Sequence, residues 1–145
     1  MIFEIMNIIR LVLLCGLALL LSACDTHAIN LTANDYSVKE DDSGGSILSI
    51  VVSVDGSVGN DIKIPVEIIN ITTDKNDYEI MQSDIILEKE KSRAVYQIKI
   101  RGDKNIEKNE ELFVRLNISD FKNIYFNGEK QSGLIKVNAQ FLPTA

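Results

Sequence analysis

From residue 36 onward the chain is a succession of short apolar runs broken by turn clusters, and no stretch keeps a helical period between caps. That pattern points to strands and away from a helical body. Strands are predicted over residues 36–39, 46–54, 62–69, 84–87, 94–100, 111–118 and 133–137. The clearest is 111–118, where Leu112, Val114, Leu116 and Ile118 fall on one face with the alternation of a half-buried strand. In 94–100, Ile98 and Ile100 share the inner face. The run SILSIVVSV at 46–54 is rich in β-branched residues, which suit a pleated surface. Asp41, Asp42, Ser43, Gly44 and Gly45 form one turn cluster, and Asp55, Gly56, Ser57, Gly59 and Asn60 another. Pro65 cannot donate to a ladder, so it predicts an edge position or a bulge. About seven short strands joined by polar turns predict an all-β, antiparallel two-sheet β-sandwich.

The first segment lies outside this fold. Residues 11–21 read LVLLCGLALLL after Arg10. The run is shorter than the roughly 18 to 20 residues of a membrane span. It has the size of a secretory signal core and is followed by small residues. Leu21, Ser22, Ala23 and Cys24 together resemble a bacterial lipobox, in which the cysteine is lipidated and becomes the new N-terminus. On that resemblance, residues 1–23 are a lipoprotein signal peptide, residues 24–35 are the lipidated cysteine and a polar tether, and residues 36–145 are the folded domain. Met6 gives a cleaner signal start than Met1, because Glu4 falls where positive charge is expected. Of the two cysteines, Cys15 leaves with the signal and Cys24 carries lipid, so no disulfide staples the body. The body is then held by its core alone, which a chain of this size can build. Bacterial lipoproteins carry at least two acyl chains, and two or more hold a protein firmly on a bilayer. Asp25 is similar to an inner-membrane retention signal of enteric-type bacteria. It points to the periplasmic face of that membrane; the outer membrane and cell surface stay open.

A formal net charge of −6 argues against a nucleic-acid partner and against electrostatic attraction to anionic lipid. The single histidine, His27, falls in the predicted tether, which leaves a histidine-based triad without its base. The chain shows no zinc-ligand spacing and no glycine-rich phosphate loop. At 6% aromatic it has few side chains to line a sugar cleft. The expected class is therefore non-enzymatic. The acidic residues gather at turns: Glu40, Asp41 and Asp42, then Asp74 and Asp77, then Asp103, Glu107, Glu110 and Glu111. Hard oxygen ligands on separate loops suit Ca²⁺, which takes six to eight oxygens. The same residues also suit solvated turns, where Asp bonds nearby backbone N–H groups.

Three stretches carry a family resemblance. Val38, Lys39, Glu40 and Asp41 look like an opening strand that ends in a glutamate. Asn76, Asp77 and Tyr78 look like a central Asp-Tyr signature. Residues 98–112, IKIRGDKNIEKNEEL, look like paired strands around an acidic loop. Together they resemble the Calx-beta domain over residues 36–137, and so imply an immunoglobulin-like sandwich. In calcium-binding members of that family, the matching carboxylates meet at one tip. The resemblance nominates Glu40, Asp77, Asp103, Glu107 and Glu110 as metal ligands, with Tyr78 packed inward. Gly102 stands where the family often has a further aspartate, and Lys75 and Lys104 add positive charge. Affinity falls with ligand charge, so weak Ca²⁺ sites are expected, with dissociation constants on the order of 0.1 to 1 mM.

The expected role is a membrane-tethered binding or structural lipoprotein that contacts a protein partner at the cell envelope. Edge-strand pairing is one available mode of contact. The alternative is a metal-free envelope spacer or adhesion module with no specific small ligand.

Overall fold

A computed structural model describes residues 27–40, 45–73, 75–102 and 110–141, apart from the side chains of Glu40 and Phe141. Ten strands run in chain order: β1 (Ile29–Thr32), β2 (Tyr36–Glu40), β3 (Ser46–Asp55), β4 (Ile62–Asn70), β5 (Tyr78–Ile80), β6 (Asp84–Leu87), β7 (Arg93–Ile100), β8 (Glu110–Leu116), β9 (Ile124–Phe126) and β10 (Gly133–Phe141). No helix occurs among the described residues. The strands form two five-stranded sheets, ordered β5-β7-β3-β1-β9 and β2-β10-β8-β4-β6. The protein is a β-sandwich.

Alternation along each strand builds the core. β8 buries Leu112, Val114 and Leu116, and β7 buries Ala94, Tyr96, Ile98 and Ile100 while Val95 faces solvent. Ile50 and Val52 of β3 and Ile135 and Val137 of β10 complete the centre. Fully burying one such aliphatic side chain contributes about 1.5–3 kcal/mol.

All seven predicted strands are present, and three more join them. β1, β5 and β9 are only three or four residues long, too short to display a period. Their tertiary partners define them. β1 lies within the stretch expected to be a polar tether. Ile29 and Leu31 are 2% and 0% exposed, so the sandwich already includes β1, ahead of Tyr36. Two apolar residues between polar neighbours gave too little signal. The sheets are also not wholly antiparallel. β1 runs parallel to β9, and β2 parallel to β10. After Thr32 the chain leaves the first sheet, and at Tyr36 it joins the second.

Pro65 lies on neither an outer edge nor a bulge but at a change of partner. Residues 62–65 of β4 pair with β6, and residues 66–70 pair with β8. The Pro65 carbonyl accepts the Asn117 N–H at 2.9 Å. The reciprocal bond, which proline cannot donate, is where the β8 ladder stops.

The connectivity gives the sandwich two distinct ends. β2, β4, β7 and β10 finish at one end, where β3, β5 and β8 begin. We call it the tip and the opposite end the base. Gly45 turns the chain into β3 at the tip with φ of 96°. A side chain there would press against the Ile100 carbonyl, 2.5 Å from an added Cβ.

Candidate functional site at the tip

Strand register decides which of the nominated carboxylates come near one another. Ser46 and Tyr78 both pair with Ile100, so β3, β5 and β7 reach the tip at the same level. Asp77 immediately precedes Tyr78, and its carbonyl accepts the Arg101 N–H at 2.7 Å. Asp77 therefore sits beside the chain as it leaves β7 toward Asp103.

In the facing sheet, Glu110 opens β8 opposite Ala139, while Phe141 of the same β10 pairs with Glu40. The backbones of Glu40 and Glu110 are thus two strands apart at the tip, about 9.5 Å in the pairing direction. Glu110 continues the inward face of Leu112, Val114 and Leu116 and is 8% exposed. A charge so buried is costly unless polar partners or a cation compensate it.

A hydrogen-bonded turn fixes the neighbouring edge of the tip. The Ile71 and Thr72 N–H groups both donate to the Glu111 carbonyl at 3.1 Å. The Glu111 N–H donates back to Thr72 Oγ1 at 2.8 Å, and Thr73 Oγ1 donates to Asn70 Oδ1 at 3.1 Å. The sequence analysis gave these hydroxyl and amide oxygens no role at the tip.

Near the tip, Glu79 and Glu111 are committed to cations. Arg101 Nη2 lies 2.6 Å from Glu79 Oε2, and Lys136 Nζ lies 2.8 Å from Glu111 Oε2. The hydrogen bond from Arg101, reinforced by its charge, holds the Glu79 carboxyl below its ordinary value. Neither Glu79 nor Glu111 belongs to the nominated set.

Of that set, Asp77 and Glu110 are described. Asp103, Glu107 and the Glu40 side chain lie outside the described residues, as does Cys24. Among the described residues no group of three or more His, Cys, Asp or Glu side chains could hold a metal. The donors described at the tip are oxygens, with neither imidazole nor thiolate, a chemistry that suits Ca²⁺ and not zinc. Tyr78 packs against the core as expected. Nearby Tyr96 is 1% exposed, and burial pushes its phenol above the ordinary value, helped by Tyr78.

No family model and no curated protein matches the amino-acid sequence. Solved structures do match the fold. The Apo-form Calx CBD1 domain superposes with a TM-score of 0.60 at 15% identity, covering 79% of this chain and 98% of that one. The fold is Calx-beta-like. The Calx CBD2 domain gives a TM-score of 0.55 at 13% identity, covering 77% of this chain and 86% of that one. CBD12 from CALX1.2 gives 0.63 at 14% identity over 77% of this chain. This chain spans 45% of that longer structure. The Calx-beta-like sandwich supplies the frame in which strand ends from both sheets meet at the tip.

Proposed function

We propose that this chain is a non-catalytic, membrane-tethered binding module whose Calx-beta-like tip takes Ca²⁺ weakly and whose surface contacts a protein partner. Lipid on Cys24 holds it on the cell envelope, at the periplasmic face of the inner membrane if Asp25 acts as a retention signal. Glu40, Asp77, Asp103, Glu107 and Glu110 supply the oxygen ligands. The observation that supports the reading most is the hydrogen bond from the Arg101 N–H to the Asp77 carbonyl. It ties the Asp-Tyr turn to the chain that leads into the acidic segment.

Calorimetric titration of residues 25–145 with Ca²⁺ tests the reading. Binding with a dissociation constant on the order of 0.1 to 1 mM is expected. Replacing Asp103 and Glu107 together with Ala abolishes the heat; heat that persists in that variant defeats the ligand assignment. A metal-free spacer or adhesion module is the second reading. An unchanged melting temperature in Ca²⁺ would select it.

A further inference from the structure

The base of the sandwich fixes the chain three positions after Cys24. Asn123 holds the entering strand from both sides: its Nδ2 donates to the His27 carbonyl at 3.1 Å, and its carbonyl accepts the Ile29 N–H at 2.8 Å. Between them, the Ala28 carbonyl lies close to Gly56 in the β3–β4 turn. Gly56 there has φ of 114°, and a Cβ on it would lie 2.6 Å from the Ala28 carbonyl. Ile29 itself is in the core. The chain is therefore part of the folded body from His27 onward.

Only three peptide steps separate Cys24 from His27. At full extension they span about 11 Å, at roughly 3.6 Å per residue. The tether expected from the sequence reached to Asp35. The structure takes residues 27–35 out of it. β3 has ten residues from tip to base, which places the tip about 30 Å beyond the base.

We infer that the base turns at 56–60 and 119–123 rest on the lipid headgroups while the tip stands off the membrane, facing solution. This rests on the lipid attachment at Cys24 proposed above. The surface chemistry fits a base that lies on headgroups without entering the hydrocarbon. Among the described residues, the exposed large apolar side chains lie on strands, on the β5–β6 connection or at the tip, and none lies on those base turns. Ser57, Asn60 and Asn123 line the base cleft beside His27. The orientation thus comes from the short leash and not from apolar insertion. It directs the tip toward partners in the aqueous space and away from partners embedded in the same bilayer.

The test uses the mature lipidated chain in phosphatidylcholine vesicles that carry a nitroxide-headgroup lipid. Cys24 is blocked by lipid, so single labels can be placed through Ser57→Cys at the base and Ile71→Cys at the tip, both exposed positions. Quenching of the position-57 label is expected to exceed that of the position-71 label severalfold. A flexible Gly/Ser insertion of about 20 residues between Thr26 and His27, with a root-mean-square span near 25 Å, should erase most of the difference. Equal quenching at the two positions without the insertion overturns the inference. So does a tip label quenched more than the base. Mass spectrometry of the N-terminal peptide separates the two ways of failing. A lipidated Cys24 with equal quenching removes the orientation alone, whereas an unmodified Cys24 removes the lipoprotein reading beneath it.

Discussion

The guanidinium of Arg101 reaches across from the end of β7 to the β5 carboxylate of Glu79, Nη2 to Oε2 at 2.6 Å. β5 is three residues long and, among the described strands, pairs with β7 alone, so this ion pair helps fasten it. Because Arg101 lowers the Glu79 pKa, the folded state favours the charged form. The stabilisation is present above the ordinary value of 4.5 and is lost as pH falls through the lower folded value. Glu79→Gln should flatten the fall in melting temperature below about pH 5. Both groups are solvent-exposed, so the effect is small and shrinks further in high salt. Identical acid limbs for the two proteins in thermal denaturation at low salt would refute it.

Tyr96 behaves in the opposite sense. Its raised pKa means the folded state holds the phenolic proton more tightly than the unfolded chain. Its contribution is complete below pH 10.0 and declines as pH rises through the folded value. Tyr96→Phe removes the titrating group. Its alkaline melting limb should be shallower than that of the parent, as followed by circular dichroism.

Core and face should separate cleanly under mutation. Leu116→Ala empties a fully buried position and should cost about 2–5 kcal/mol in urea denaturation. Val95→Ala, on the outer face of β7 and 47% exposed, should change stability by about 0.5 kcal/mol or less. Comparable losses would mean that the outer face of this sheet is covered in solution.

Gly56 and Gly59 offer a matched pair within one turn. Gly56 has φ of 114° and abuts the Ala28 carbonyl, so Gly56→Ala should cost about 1–3 kcal/mol. A Cβ on Gly59 meets nothing within 4 Å, and Gly59→Ala should be close to neutral. Equal costs in denaturant titrations would show that the turn relaxes around the added methyl.

Ca²⁺ at the tip should be visible as stability. With a dissociation constant near 1 mM, about 10 mM Ca²⁺ adds about 1.4 kcal/mol to the folded state. The double variant Asp77→Asn, Glu110→Gln should lose that increment in differential scanning calorimetry while remaining folded. Retention of the full increment would place the ion elsewhere.

Much of the architecture was legible because alternation is a local property. Leu112, Val114, Leu116 and Ile118 announced their common face, and all four are buried. The short strands were not legible, since Ile29 and Leu31 become a strand only through β3 and β9. Pro65 gave a true signal of a ladder ending, but the exchange of β6 for β8 depends on where two distant strands stop. At the site, the sequence drew attention to the acidic turns. It did not show that Arg101 and Lys136 hold Glu79 and Glu111, because those pairs join diagonal neighbours on adjacent strands. Nor did it mark Thr72, whose hydroxyl matters only because β8 begins beside it.

The crossing of the chain from one sheet to the other between Thr32 and Tyr36 has a mechanical consequence. β1 enters at the base between β3 and β9, and its ladder bonds lie across the strand direction. A pull on the chain ahead of Ile29, directed away from the tip, loads those bonds together in shear instead of peeling them one at a time. Beyond them the same segment is stitched to β10, so rupture of the first ladder passes the strain to the second sheet.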